Sequence, residues 1–74
     1  MRYTIKALRA DLERFNAELA KQGYTFHLEA ESRNGYTGLD LYEGKRCQRT
    51  IETGSPMDCH LAIIQFTLDY CGEI

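Results

Sequence analysis

Apolar residues recur near the start of the chain at alternating steps of three and four. They are Ile5, Leu8, Leu12, Phe15 and Leu19. This spacing places them on one face of an amphipathic helix. Thr4 is the expected N-cap, because a short hydroxyl side chain binds the free amides at a helix start. Gly23 is the expected stop, because glycine readily adopts the left-handed conformation that ends a helix.

A period of two then predicts a β-hairpin. In "YTFHLEAES" the apolar positions Tyr24, Phe26, Leu28 and Ala30 alternate with polar ones, as in a strand with one buried face. Asn34-Gly35 predicts a two-residue type I′ turn, whose two central residues both need positive φ. In the second strand, "YTGLDLY", Thr37, Leu39 and Leu41 are expected to face the core.

A third strand, "RCQRTIET", follows a turn at Glu43-Gly44-Lys45. With a three-residue loop, Cys47 and Ile51 join the buried face of the sheet. A two-residue loop would instead turn Arg46 and Gln48 toward the core. The hydrophobic pattern therefore favours the three-residue loop.

The segment "GSPMD" begins a second helix. Ser55 is the expected N-cap, Pro56 takes the first helical position, and Asp58 closes a capping box. The helix is predicted to run to about Cys71, with Gly72 as its stop. The chain is therefore an α+β fold of order α-β-β-β-α, a three-stranded antiparallel meander with both helices on one face. Residues 1–74 form one domain, so small that a dimer or a partner is expected.

The Asn34-Gly35 turn also determines which residues share the uncovered face of the sheet. Glu29 is predicted to face Asp40 directly, with Glu31 one row away, and opposed like charges cost stability. The same face is predicted to carry residue types that are common in protein interfaces: His27, Tyr36, Tyr42 and Arg46. We interpret this set as a candidate partner-binding surface. The alternatives are an ordinary solvated sheet face and, third, a weak metal site on the two opposed carboxylates.

The second helix has more apolar residues than a simple surface helix needs. One stripe consists of Met57, Leu61, Ile64, Leu68 and Cys71, and another of Cys59, Ile63, Phe66 and Tyr70. One interpretation is a central helix that packs on both the sheet and the first helix. The other is that Ile63, Phe66 and Tyr70 form a homodimer or partner interface.

No motif in the sequence predicts an enzyme, a cofactor or a metal. Cys59 and His60 are neighbours on a helix and point about 100° apart, so they cannot act as a nucleophile and its base. The turn glycines lack the frame of a phosphate-binding loop, and no zinc-binding spacing is present. We therefore expect a non-enzymatic protein.

Charge and cysteine content narrow the compartment and the class of partner. Nine basic and eleven acidic residues give a net charge of −2, which disfavours nucleic-acid binding. Three cysteines without a CxxC motif or a secretory leader are typical of free thiols in the cytoplasm. No run approaches the ~18–20 apolar residues of a membrane span. A protein partner is the leading expectation.

The element order resembles that of the double-stranded-RNA-binding domain. That family has a lysine cluster at the start of its second helix, where this chain reads "SPMDCH". This chain lacks that cluster, so RNA binding is the alternative and not the leading function. It would use the basic residues Arg2, Lys6, Arg9, Lys45, Arg46 and Arg49.

The size, acidic balance and helix–meander–helix plan also resemble some anti-CRISPR proteins of phages. In addition, "GYTGLDLYEGKRCQRTIETGSPMDC" resembles small prophage accessory proteins. This resemblance implies a phage-encoded inhibitor that blocks a host defence complex by stoichiometric binding. Its acidic residues would face a nucleic-acid-binding surface of that complex.

Overall fold

Two helices and a three-stranded antiparallel sheet make up the computed structural model, which describes residues 2–71 (for residues 70 and 71, the backbone only). The elements are α1 (Ile5–Lys21), β1 (Phe26–Arg33), β2 (Tyr36–Glu43), β3 (Arg46–Gly54) and α2 (Pro56–Phe66), which continues as a π-helical segment (Thr67–Cys71). The sheet order is β1-β2-β3. The predicted α+β fold of order α-β-β-β-α is confirmed.

The first helix begins and ends as its sequence indicates. The Thr4 hydroxyl accepts a hydrogen bond from the amide of Ala7 at 3.2 Å, and Gly23 follows the helix with φ of 90°. The predicted apolar stripe faces the sheet: Leu8, Leu12 and Leu19 are buried and Ile5 and Phe15 half-buried.

α1 also covers the outer edge of β1 with polar side chains. The Asn16 amide donates to the carbonyl oxygen of Leu28 at 2.8 Å and accepts from its backbone N–H at 2.9 Å. Arg9 Nε donates to the carbonyl oxygen of Ala30 at 3.3 Å. Backbone groups that point away from β2 are therefore bonded to the helix.

The first hairpin has the predicted register. Asn34 and Gly35 form its turn with φ of 32° and 88°, and Arg33 pairs with Tyr36. As predicted, Glu29 is the Cα partner of Asp40.

The second hairpin differs from the prediction. Its turn has two residues, Gly44-Lys45, so the prediction of a three-residue loop is wrong. Cys47 pairs with Tyr42 and is exposed instead of buried. Register shifts between Leu39 and Asp40 and between Leu41 and Tyr42 mark two β-bulges. Each bulge adds one residue to β3: Gln48 in the first and Ile51 in the second. The first bulge shifts the alternation by one residue, and half-buried Ile51 then packs against the core, which strict alternation does not predict.

The second helix has the predicted capping box and reaches the predicted Cys71, but its last five residues are π-helical. Ser55 N–H donates to Asp58 Oδ2 at 2.9 Å, and Asp58 N–H donates to Ser55 Oγ at 3.1 Å. The regular α-helix ends at Phe66, five residues before the predicted end, and the backbone widens into the π-helical segment. The Thr67 hydroxyl donates to the carbonyl oxygen of Ile63 at this junction. The predicted stop, Gly72, lies outside the described residues.

The core contains both helices and the inner face of the sheet. It is built from Leu8, Leu12, Leu28, Leu39, Cys59, Ile63 and Phe66. The Phe66 ring meets the edge of Phe26 at a centroid distance of 5.6 Å. Ile63 and Phe66 are 7% and 5% exposed, so the prediction that they form a self-association surface is wrong. The side chain of Tyr70, the third member of that set, lies outside the described residues.

Candidate functional site

The side of the sheet that faces away from the helices carries six of the seven residues predicted for the partner-binding surface. We call it the open face. Its rows are His27 with Tyr42 and Cys47, Glu29 with Asp40 and Thr50, Glu31 with Gly38 and Thr53, and Arg33 with Tyr36. Arg46 is the exception. It pairs with Glu43, which pairs with Phe26 on the helix-covered side, so its predicted place on the open face is wrong.

The centre of the open face is a carboxylate that its neighbours enclose. Asp40 is 1% exposed. Its Oδ1 accepts a hydrogen bond from the Thr50 hydroxyl at 2.8 Å, and its Oδ2 accepts from the Arg33 guanidinium. A buried carboxylate without such partners would be strongly destabilising. The same Arg33 nitrogen also bonds Glu31 Oε2 at 3.0 Å, so one guanidinium joins two acidic residues.

Gly38 makes room for this guanidinium. A Cβ placed on residue 38 would overlap the Arg33 side chain. The Arg33 side chain therefore lies over β2 at Gly38, where no side chain blocks it. Arg33 and Thr50 were not predicted as site residues, and the signal that could have indicated them is a glycine in the middle of a strand.

The opposed carboxylates are each compensated by a different partner. Asp40 is bonded to Arg33 and Thr50, while Glu29 Oε2 lies 2.7 Å from His27 Nε2. The two residues face each other as predicted, and neither charge is left without a partner. The arginine side chain reaches across from the neighbouring row to neutralise the buried member.

The exposed part of the open face is acidic and has aromatic rings at both ends. The side chains of Glu29 and Glu31 are 53% and 61% exposed. At one end the His27 ring stacks on Tyr42 with a centroid distance of 5.5 Å. Burial, with a contribution from the Glu29 charge, raises the pKa of Tyr42, which keeps its phenol neutral. At the other end Tyr36 is 42% exposed.

A second surface, which is apolar, lies on α2 and on the π-helical segment that continues it. Its residues are Met57, Leu61, Ile64 and Leu68, which are between 44% and 65% exposed. We call this set the apolar seam. It is the first of the two predicted stripes of the helix without Cys71, and it faces away from the core that holds Ile63 and Phe66. The sequence pattern indicated both stripes without showing which one is buried.

Polar side chains at the junction of the two helices hold the N-terminal segment in place. The Tyr3 hydroxyl donates to Asp11 Oδ2 and lies 3.1 Å from His60 Nδ1, which ties the N-terminal segment to both helices. Burial, followed by the hydrogen bond with Asp11, raises the pKa of Tyr3 to about 12. His60 is thus engaged away from Cys59, whose thiol donates to the carbonyl oxygen of Thr37. Burial raises the pKa of Cys59, the opposite of what a nucleophilic thiolate needs.

In the part of the chain that the structure describes, no three His, Cys, Asp or Glu residues come together in a way that could hold a metal ion. None of the described helices is long and apolar enough to cross a membrane.

Comparison of the chain with protein-family models, with curated proteins and with solved structures found no match. The protein is a small α+β domain with two contrasting surfaces, an acidic open sheet face and an apolar helix seam.

Proposed function

We propose that this chain is a non-enzymatic protein-binding domain whose open face binds a cationic surface of another protein in fixed stoichiometry. One observation carries the proposal. Glu29 and Glu31 project from a face whose guanidinium, that of Arg33, already bridges Glu31 and the buried Asp40. The exposed charge of this face is therefore negative, and complementary charge on a partner would speed association and select against wrong partners.

The open face is also well prepared for binding. β1 pairs with β2 along its whole length, and the Arg33–Asp40–Thr50 hydrogen bonds connect side chains of all three strands. A preformed surface loses little conformational entropy on association. Tyr36 and the stacked His27–Tyr42 pair offer aromatic contact area on either side of the carboxylates, as binding hot spots commonly do.

The resemblance to phage anti-CRISPR proteins supports a specific kind of partner. A nucleic-acid-binding surface is cationic because it must contact phosphates. Exposed carboxylates could occupy such a surface in place of nucleic acid. We therefore propose a host defence complex as the partner and inhibition by stoichiometric binding as the activity.

The alternative, binding of double-stranded RNA, lacks a supporting observation at the start of α2. Asp58 stands there, and hydrogen bonds from Ser55, the backbone bond first, lower its pKa and keep it ionised. A fixed negative charge at this helix start would repel a phosphate. This charge disfavours RNA binding through the start of α2.

The test uses two variants with the same change in net charge. Glu29→Gln/Glu31→Gln neutralises the open face, and Glu13→Gln/Glu18→Gln neutralises two carboxylates on α1. Each immobilised protein is used to capture partners from a bacterial lysate, and affinity for the captured partner is then measured at two salt concentrations. We expect the open-face variant to bind about 10-fold or more weakly, with a smaller salt dependence, and the α1 variant to bind like the parent.

Equal capture by both variants would contradict the proposal. A gel-shift assay with duplex RNA and DNA tests the alternative in parallel. We expect no shift at physiological salt. A shift that weakens steeply with salt, and that is lost on replacing Lys45 and Arg49 by Gln, would favour the nucleic-acid function instead.

A further inference from the structure

We infer that the apolar seam of α2 is a homodimer interface, in which α2 packs antiparallel against α2 of a second copy of the chain. This inference concerns a different surface from the open face and does not depend on the proposed function. It rests on the exposure of the seam, its spacing, its flanking charges and its area.

The seam differs from an ordinary solvated helix face. The outward side of α1 carries charged residues such as Lys6, Glu13 and Arg14. The outward side of α2 instead exposes four large aliphatic side chains in a continuous row: Met57, Leu61, Ile64 and Leu68. With each about half exposed, they form a patch on the order of 400 Å², a size that on monomeric proteins is often functional.

The spacing of the seam is the same in both directions. In sequence its residues are separated by steps of four, three and four, so a two-fold axis between Leu61 and Ile64 pairs each residue of the row with another; Met57, Leu61 and Ile64 lie on α2 and Leu68 on the π-helical segment. In an antiparallel pair, Leu61 meets Ile64 of the second copy, and Met57 meets Leu68 of the second copy. An isologous interface requires such a self-complementary surface, and this step pattern is that of helices that pack side by side.

A groove beside the seam gives the second copy a place to fit. It lies between α1 and α2 next to Ile64 and Leu68, includes Phe15 and Thr67, and has a volume of about 340 Å³. The antiparallel arrangement sets Met57 and Leu61 of the second copy over this groove. The same contact occurs twice, once on each side of the axis.

The helix dipoles favour the antiparallel direction. Antiparallel pairing sets them in opposite directions, whereas a parallel pair would bring both dipoles and both Asp58 carboxylates together. The charged and titratable side chains next to the seam are Asp58, His60 and Asp69, and Gln65 donates a hydrogen bond to Asp69 at 2.8 Å. Antiparallel pairing places His60 near Thr67 of the second copy. It places Asp58 near Gln65 of the second copy, so the Gln65 amide lies between Asp58 and Asp69.

The area predicts a dimer of moderate affinity. Two seams and their flanks bury about 800–1,200 Å² in total, which is near the lower limit for a specific interface. A dissociation constant on the order of 10–100 μM is therefore expected. The dimer should form at high protein concentration and dissociate on dilution.

The first experiment measures molar mass against concentration by sedimentation equilibrium. Leu61→Glu places a charge in the middle of the seam, and Ala10→Glu places the same charge on the exposed side of α1 as a control. We expect Leu61→Glu to weaken the dimer at least about 100-fold and Ala10→Glu to leave it unchanged. Circular dichroism verifies folding, and Ile64→Ala serves as a milder second variant. A parent that stays monomeric throughout, or a dimer indifferent to both seam variants, would overturn the inference.

The second experiment tests the antiparallel direction. Met57→Lys and Leu68→Glu change residues that face each other only in the antiparallel pair. Each variant alone is expected to be monomeric, whereas their equimolar mixture is expected to dimerise through one Lys–Glu contact and one native contact. If the equimolar mixture stays monomeric, the antiparallel geometry is refuted. A monomeric chain that loses capture of another protein on the Leu61→Glu change would show that the seam has a different occupant.

Discussion

Replacing Gly38 with alanine tests whether the buried Asp40 carboxylate depends on the arginine that crosses the strand. In a strand, alanine normally gains about 0.5–1 kcal/mol over glycine. Here the new methyl group would overlap the Arg33 guanidinium and displace it. A hydrogen bond to a charged group contributes about 1.5–3 kcal/mol, and Asp40 would retain only Thr50 among its two partners. We therefore expect Gly38→Ala to lower the free energy of unfolding by about 1–2 kcal/mol.

The assay is urea denaturation followed by circular dichroism, with thermal melts in parallel. In a domain of this size, each 1 kcal/mol corresponds to a shift of about 4–8 °C in Tm. The control is the same substitution in an Asp40→Asn background, where no carboxylate is left without its cation. In that background the loss of unfolding free energy should shrink or become a gain. Such a difference would show that positions 38 and 40 are energetically coupled. A Gly38→Ala protein as stable as the parent would refute the reasoning.

Three further predictions concern other parts of the fold. Replacing Asn34-Gly35 by Ala-Ala should cost about 1 kcal/mol or more in urea denaturation, because both residues have positive φ; no loss would contradict the turn geometry. The pKa of Tyr3 is raised to about 12, so its neutral form stabilises the fold below pH 10, and this contribution is lost as the pH rises through 12. A Tyr3→Phe variant should show a flatter loss of stability over that range, and identical profiles would rule the contribution out. Phe66→Ala should cost about 3–5 kcal/mol of unfolding free energy as a core residue, and a cost under about 1 kcal/mol would place it at the surface.

Local signals account for the parts of the fold that could be predicted. Asn34-Gly35 determines the register of β1 and β2, because the turn leaves one pairing of the adjoining residues. The Ser55–Asp58 capping box determines where α2 begins. In both places the chemistry that specifies the structure lies within four consecutive residues.

The register of β3 depends on contacts that are distant in sequence. Ile51 packs on the core because the bulge at Gln48 shifts the strand by one residue after its two-residue turn. Bulges have no strict sequence signal. The prediction from alternation alone therefore gave the wrong loop length and put Arg46 and Cys47 on the wrong faces of the sheet.

The candidate site was predicted in position but not in its interactions. The hairpin register correctly brought Glu29 and Asp40 together. It could not show that Arg33 reaches diagonally across Gly38, since that path depends on side-chain conformations in three rows. The sequence of α2 showed two apolar stripes. Which of them is buried depends on the position of the sheet, and the buried one contains Ile63 and Phe66.

The amide of Asn16 has a consequence for how this protein can assemble. It presents to Leu28 one donor and one acceptor, the pair that a neighbouring strand would present. A foreign strand would have to displace Asn16 and Arg9 before it could add to β1, and at the other edge the bulges of β3 interrupt a straight ladder. Extension of the sheet into fibres or mixed sheets with other chains is thus disfavoured at both edges. Stable association must use the broad surfaces of the molecule, where side chains rather than backbone amides select the partner.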